Sequence, residues 1–113
     1  DTRRTALRDI LRTLMMHTNG PVGIFAHSDS LAAETLIAAH SMYISVPNDL
    51  KIIGFDDAPI ARYCVPELTT IHQDTDAIAR HASAYLISAI QGEEPPSTMT
   101  KLVDVHLIKR GTV

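Results

Sequence analysis

Three short apolar runs, each stopping on a cluster of polar residues, constrain this chain more than any other feature. "VGIFAH" (Val22 to His27) runs into Ser28 and Asp29, "KIIGF" (Lys51 to Phe55) into Asp56 and Asp57, and "LTTIHQ" (68 to 73) into Asp74. Runs of this length, rich in β-branched residues and bounded by turn formers, read as strands, and the first reads as buried on both faces. Between them lie helical patterns. Residues 2 to 18 carry Leu7, Ile10, Leu11 and Leu14 at helical spacing and stop at Asn19-Gly20-Pro21. Residues 30 to 44 place Ala32, Leu36, Ala39 and Tyr43 on one stripe, and Asp74 to Gln91 does the same with Ile78, Ala82, Tyr85, Leu86 and Ala89. "KLVDVHLIKR" (101 to 110) alternates as a closing strand. Helices alternating with buried strands imply an α/β fold, an open parallel sheet with helices on both faces.

In such a sheet ligands bind beyond the carboxyl ends of the strands. Each of the first three strands here ends in hydrogen-bonding groups: His27, Ser28 and Asp29; Asp56 and Asp57; His72, Gln73 and Asp74. Carboxylates and amides suit the hydroxyls of a sugar or the ring edge of a nucleobase, and suit phosphate poorly. Asp at a strand-to-helix junction also favours turns and caps for its own sake. Asp29 fits that description because a helix follows it. Asp56 does not, because "APIARY" behind it reads as a loop.

Composition excludes several classes. A net charge of −3 over 113 residues is not that of a chain built to coat nucleic acid. The basic stripe of Arg4, Arg8 and Arg12 reads as a solvated helix face. A single cysteine, Cys64, makes no internal disulfide and favours a reducing compartment. No apolar run reaches the roughly 18 residues of a membrane span. The six histidines show no zinc-site spacing, so no metal is expected. Neither a nucleophile elbow nor a facing carboxylate pair is present, so neither an enzyme nor a cofactor is expected. The first residue is Asp and no signal-peptide pattern is seen, which suits a piece of a longer protein.

The ordered set "VGIFAHSDSLAAETLIAAH", "ISVPNDLKIIGFDD" and "LTTIHQ" resembles the effector-binding domain of LacI/GalR-family bacterial transcription regulators, from about Pro21 to Arg110. The resemblance implies a periplasmic-binding-protein-like fold of two α/β lobes closing on a small effector, a sugar or purine, in a dimeric cytoplasmic regulator. It implies that this chain supplies mainly the second lobe (about 1–73 and 100–110) and a crossing helix (about 75–91). The first lobe and the DNA-binding helix-turn-helix would lie outside these residues, so DNA is a partner only through a module absent here. It assigns effector contacts to Asp56 and Gln73, with Ser28 standing where many members carry Asn, and with Asp29 and His27 beside them. It assigns a dimer interface to the helix after "SD..A" (Ala33, Ile37) and the loop after "GFDD" (Tyr63, Cys64). A periplasmic solute-binding protein of a sugar transporter shares the fold and is the alternative.

Overall fold

A computed structural model describes residues 2–94 and 100–113. They fall into two compact units, one running to His72 and completed by Leu107–Val113, the other Gln73–His106.

The first unit opens with helix α1 (Thr2–His17). Leu11 is its buried contact and Leu7 packs beside it, whereas Ile10 and Leu14 of the expected stripe are exposed. Gly20, at a φ of 128° that disfavours any side chain, turns the chain into strand β1 (Val22–Phe25). β1 pairs in parallel with β2 (Leu50–Ile53), Val22 opposite Leu50 and Phe25 opposite Ile53. Burial alternates along β1: Val22 and Ile24 join the core with Leu50 and Ile52, while Phe25 is 65% exposed. The reading of β1 as buried on both faces is therefore corrected. An unbroken apolar run shows what a strand tolerates, and only the packing of other elements decides which face is covered.

Helix α2 (Asp29–Ser41) supplies most of that cover through Ala32, Leu36, Ala38 and Ala39. Its small residues let it lie close to the sheet. Tyr43, read as part of the stripe, lies past the helix end at a φ of 57° and is 98% exposed. Helix α3 (Ile60–Tyr63) occupies the segment expected to be a loop. One turn is too short for periodicity to reveal, but Pro59 before it has a helix-compatible φ of −51° and Ala61 is fully buried.

Beyond β2 the parallel pairing continues through bridges from Ile53 to Thr69 and from Asp56 to His72, leading into β3 (Thr70–Gln73). The C-terminus returns to this layer. Thr112, fully buried, donates from Oγ1 to the Ile52 carbonyl at 2.6 Å and accepts from the Thr69 N–H at 2.9 Å. Gly111 leaves the room this requires, since a Cβ there would lie 2.7 Å from Pro66 Cβ.

The second unit contains helix α4 (Thr75–Ile90), capped by the Asp74 side chain on the Ala77 N–H at 2.9 Å. None of the sixteen residues of α4 is buried. Strand β4 (Val105–Ile108) is the hydrogen-bonded neighbour of β3. The chain leaves the first unit between His72 and Gln73, inside β3, and returns between His106 and Leu107, inside β4.

Candidate effector site at the strand ends

The loops after β1 and β2 are fastened to each other by backbone bonds. The Ala26 N–H donates to the Ile53 carbonyl at 2.8 Å, and the Asp29 N–H to the Phe55 carbonyl at 3.0 Å. Ser28, in extended conformation, is the N-cap of α2 and accepts from the Leu31 N–H at 3.2 Å. That hydroxyl is the helix cap, a role that the sequence "SDS" offers to Ser28, Asp29 and Ser30 alike.

Asp29 instead turns inward and is 1% exposed. One carboxylate oxygen accepts from the Ala58 N–H at 2.7 Å and the other from the Thr70 hydroxyl. Buried carboxylates persist when their oxygens are satisfied in this way. Its position also explains Gly54. A Cβ there would collide with Asp29 Oδ1 and lie 3.2 Å from Asp29 Cα.

Asp29, Thr70 and the Ile71 carbonyl together hold residues 56 to 58. Thr70 Oγ1 also accepts from the Asp57 N–H at 3.3 Å, and the Asp56 N–H donates to the Ile71 carbonyl at 2.9 Å. Within this frame Asp56 and Asp57 take φ values of 113° and 52°, a region that L residues other than Asn and Asp rarely enter. The left-handed pair turns the two carboxylates to different tasks. Asp56 is exposed at the strand end. Asp57 is half-buried and accepts from Arg110 Nη2 at 2.6 Å and from His72 Nδ1 at 3.0 Å. Burial raises the Asp57 carboxyl, but the hydrogen bonds and charges of Arg110 and His72 outweigh it and hold the group below the usual carboxylate range. With Asp57 engaged by a cation, the two acids do not form an acid–base pair.

His27 is exposed and lines an apolar groove with Leu7, Ile24 and Leu31. Gln73 is the half-buried first residue of the second unit. Sequence reasoning missed Thr70, Arg110 and Thr112. Each acts across more than forty residues of chain, and a lone Thr or Arg at a strand end carries no local signal of a distant partner.

A second feature lies on the α2 and α3 side. Ala33, Ile37, Tyr63 and Cys64, the four residues assigned to an interface, line one apolar groove of about 320 Å³ with Leu36 and Ile60. Burial, followed by the charge of Asp29, pushes the Cys64 thiol up. Among the described residues no cluster of three His, Cys, Asp or Glu is placed to hold a metal, and no helix is long and apolar enough to cross a membrane.

The family model of the periplasmic binding protein-like domain matches residues 1–113. The chain belongs to this family. Among curated members of the periplasmic-binding-protein-like group, the HTH-type transcriptional repressor CytR of Escherichia coli (strain K12) is 40% identical over 92 residues. That alignment covers 81% of this chain and 27% of CytR, so the chain spans little more than a quarter of that relative. A LacI-type transcription regulator from Bifidobacterium animalis subsp. lactis superposes with a TM-score of 0.80 at 31% identity, over 96% of this chain and 39% of that one. A periplasmic binding protein/LacI transcriptional regulator from Alkaliphilus metalliredigens, complexed with D-xylulofuranose, gives 0.68 at 36% identity, over 80% and 34%. The periplasmic-binding-protein-like fold, α/β with a parallel sheet, is thus that of LacI-type effector-binding domains.

Proposed function

We propose that this chain is the effector-sensing part of a LacI-type DNA-binding repressor, taking a small polar effector of the sugar or purine class between two lobes. The observation that carries the reading is Asp56, an exposed carboxylate at a strand end, on a left-handed turn whose backbone is held by Ile71, Thr70 and Asp29. Its acceptor oxygens suit vicinal hydroxyls or a ring N–H. The repressor relative and the sugar held by the A. metalliredigens regulator support both the regulator assignment and the ligand class. Gln73 supplies an amide at the end of β3, and His27 stands at the end of β1. Ser28 and Asp29 serve the site from behind by fixing the turn. Binding shifts the relative orientation of the lobes and so biases a homodimer between DNA-competent and incompetent states. The dimer forms through the groove of Ala33, Ile37, Tyr63 and Cys64. The protein works in the cytoplasm, without catalysis and without a cofactor.

The test is calorimetric titration of the full-length protein with D-xylulose, sucrose and adenosine, followed by Asp56→Ala with whichever binds. Loss of one charge-assisted hydrogen bond, about 1.5–3 kcal/mol, lowers affinity roughly ten- to a hundredfold. Unchanged affinity in the variant removes Asp56 from the site.

A further inference from the structure

The first unit is entered and left through two strands, and one carboxylate holds both. His72, the last residue before the outgoing crossing, places Nδ1 3.0 Å from Asp57 Oδ2. Arg110, three residues after the start of the returning segment, places Nη2 2.6 Å from Asp57 Oδ1. Arg110 is itself seated at two further points, Nη1 donating to the Leu68 carbonyl at 3.0 Å and its backbone N–H to Thr69 Oγ1 at 2.9 Å. We propose that Asp57 is the positioning residue of this site, a hinge anchor whose carboxylate fastens both crossing strands to the loop that presents Asp56.

Three observations make this more than an incidental ion pair. The Arg110 and Asp57 side chains are only 10% and 11% exposed, so the pair is shielded as surface pairs are not. Both Asp57 oxygens are used, each toward a different crossing. The backbone at Asp57 is left-handed, which Gly and Asn satisfy without a charge, so the turn alone does not call for a carboxylate. The neighbouring Asp56 is tied to the same strand by its N–H on the Ile71 carbonyl and by its bridge to His72. A change in the outgoing strand therefore reaches the Asp56 loop through both backbone and side chain. This inference rests on the reading of Asp56 as the effector contact and names the device by which that contact is linked to lobe movement.

Amide hydrogen exchange on the full-length protein, without effector, tests it. In Asp57→Asn the amides of residues 70–73 and 107–110 and the Asp56 N–H are expected to exchange roughly ten- to a hundredfold faster, as losing a charge-assisted bond allows, while β1 and α2 keep their protection. Arg110→Lys, which keeps the charge and loses the fork, gives the same pattern more weakly and stands in if Asp57→Asn does not fold. Unchanged exchange at the crossings overturns the proposal. So does an equal rise throughout the unit, which marks general destabilisation. Asp56→Asn, which tolerates the left-handed backbone and removes only the charge, leaves the exchange at the crossings unchanged, so a wrong effector assignment and a wrong hinge anchor give different results.

Discussion

At Gly54 the chain has no choice of residue, and the reason is the carboxylate beside it. Asp29 Oδ1 occupies the place of a Cβ, and that oxygen is held by Thr70 while its twin is held by Ala58. The usual relief of a tight contact, swinging the neighbour aside, would break a buried charge-assisted bond. Gly54→Ala is thus expected to destabilise the fold by about 1–3 kcal/mol, the usual cost of overpacking, read from the urea midpoint. A midpoint within error of wild type would mean that Asp29 moves freely. Asp57 gives a second test with a defined pH window. Its folded carboxyl titrates below the ordinary value of 3.8, so the charged form is the one the fold prefers. The stability this supplies is fully present above about pH 4 and disappears as pH falls through the folded value. The gap in urea midpoint between wild type and Asp57→Asn is expected to be widest at pH 7 and to shrink progressively as pH falls below 3.8. A gap that stays constant throughout the acid range would assign the loss to shape. At this scale the sequence announces which positions are polar and at strand ends, but not their tasks. Of the three cap candidates Ser28 takes the cap and Asp29 is buried instead, because the burial of Asp29 depends on Thr70, forty-one residues away.

Among the elements, helices and strands long enough to show a period are legible to within a few residues, and those of one turn are not. α2 starts at Asp29 and β3 starts at Thr70, close to the positions that spacing gives. α3 escapes because four residues cannot show a 3.6-residue period. It nevertheless matters, since it lays Ile60 and Tyr63 beside Ala33 and Ile37 of α2 and closes the groove. Small residues on α2 allow close approach and Tyr63, largely exposed, offers a broad amphipathic anchor. Ile37→Glu puts a charge into that groove without touching the core, because Ile37 is exposed in the single chain. In sedimentation the full-length variant is expected to dissociate to monomer at concentrations where wild type is dimeric. A dimer of undiminished strength would place the interface elsewhere. The same groove contains Cys64, whose raised thiol and bond to the Ile60 carbonyl at 3.4 Å leave it mostly protonated at neutral pH. Its reaction with a disulfide reagent is expected to be slow at pH 7, slower still in the dimer, and to return to the monomer rate in Ile37→Glu. Equal rates in dimer and monomer would show that the thiol lies outside the interface.

For the whole molecule the decisive fact is how unevenly burial is shared between the two units. The first unit closes a core around Leu11, Leu36, Leu50, Ile52 and Leu68, all nearly inaccessible to solvent. The second unit buries no residue of α4, although Ile78, Tyr85 and Leu86 stand on the apolar stripe that the sequence shows. Each such side chain contributes about 1.5–3 kcal/mol when fully buried, which is why a stripe of them seeks cover. α4 begins with a satisfied cap, so the helix itself is well defined, and its apolar face stays largely exposed. The 113-residue chain by itself is therefore expected to self-associate through two separate surfaces, the groove beside Ile37 and the face of α4 around Leu86. Residues on different units that share no partner should act additively. Ile37→Glu and Leu86→Glu should each weaken association of the isolated chain in sedimentation, and only the double variant should run as a monomer at every concentration tested. In the full-length protein the two substitutions are expected to part company on the proposed reading, in which another lobe covers the α4 face: Ile37→Glu weakens the proposed dimer, while Leu86→Glu leaves association intact and lowers the unfolding midpoint. If Leu86→Glu instead leaves both the isolated chain's association and the full-length midpoint where they were, the stripe on α4 has no covering role in either setting.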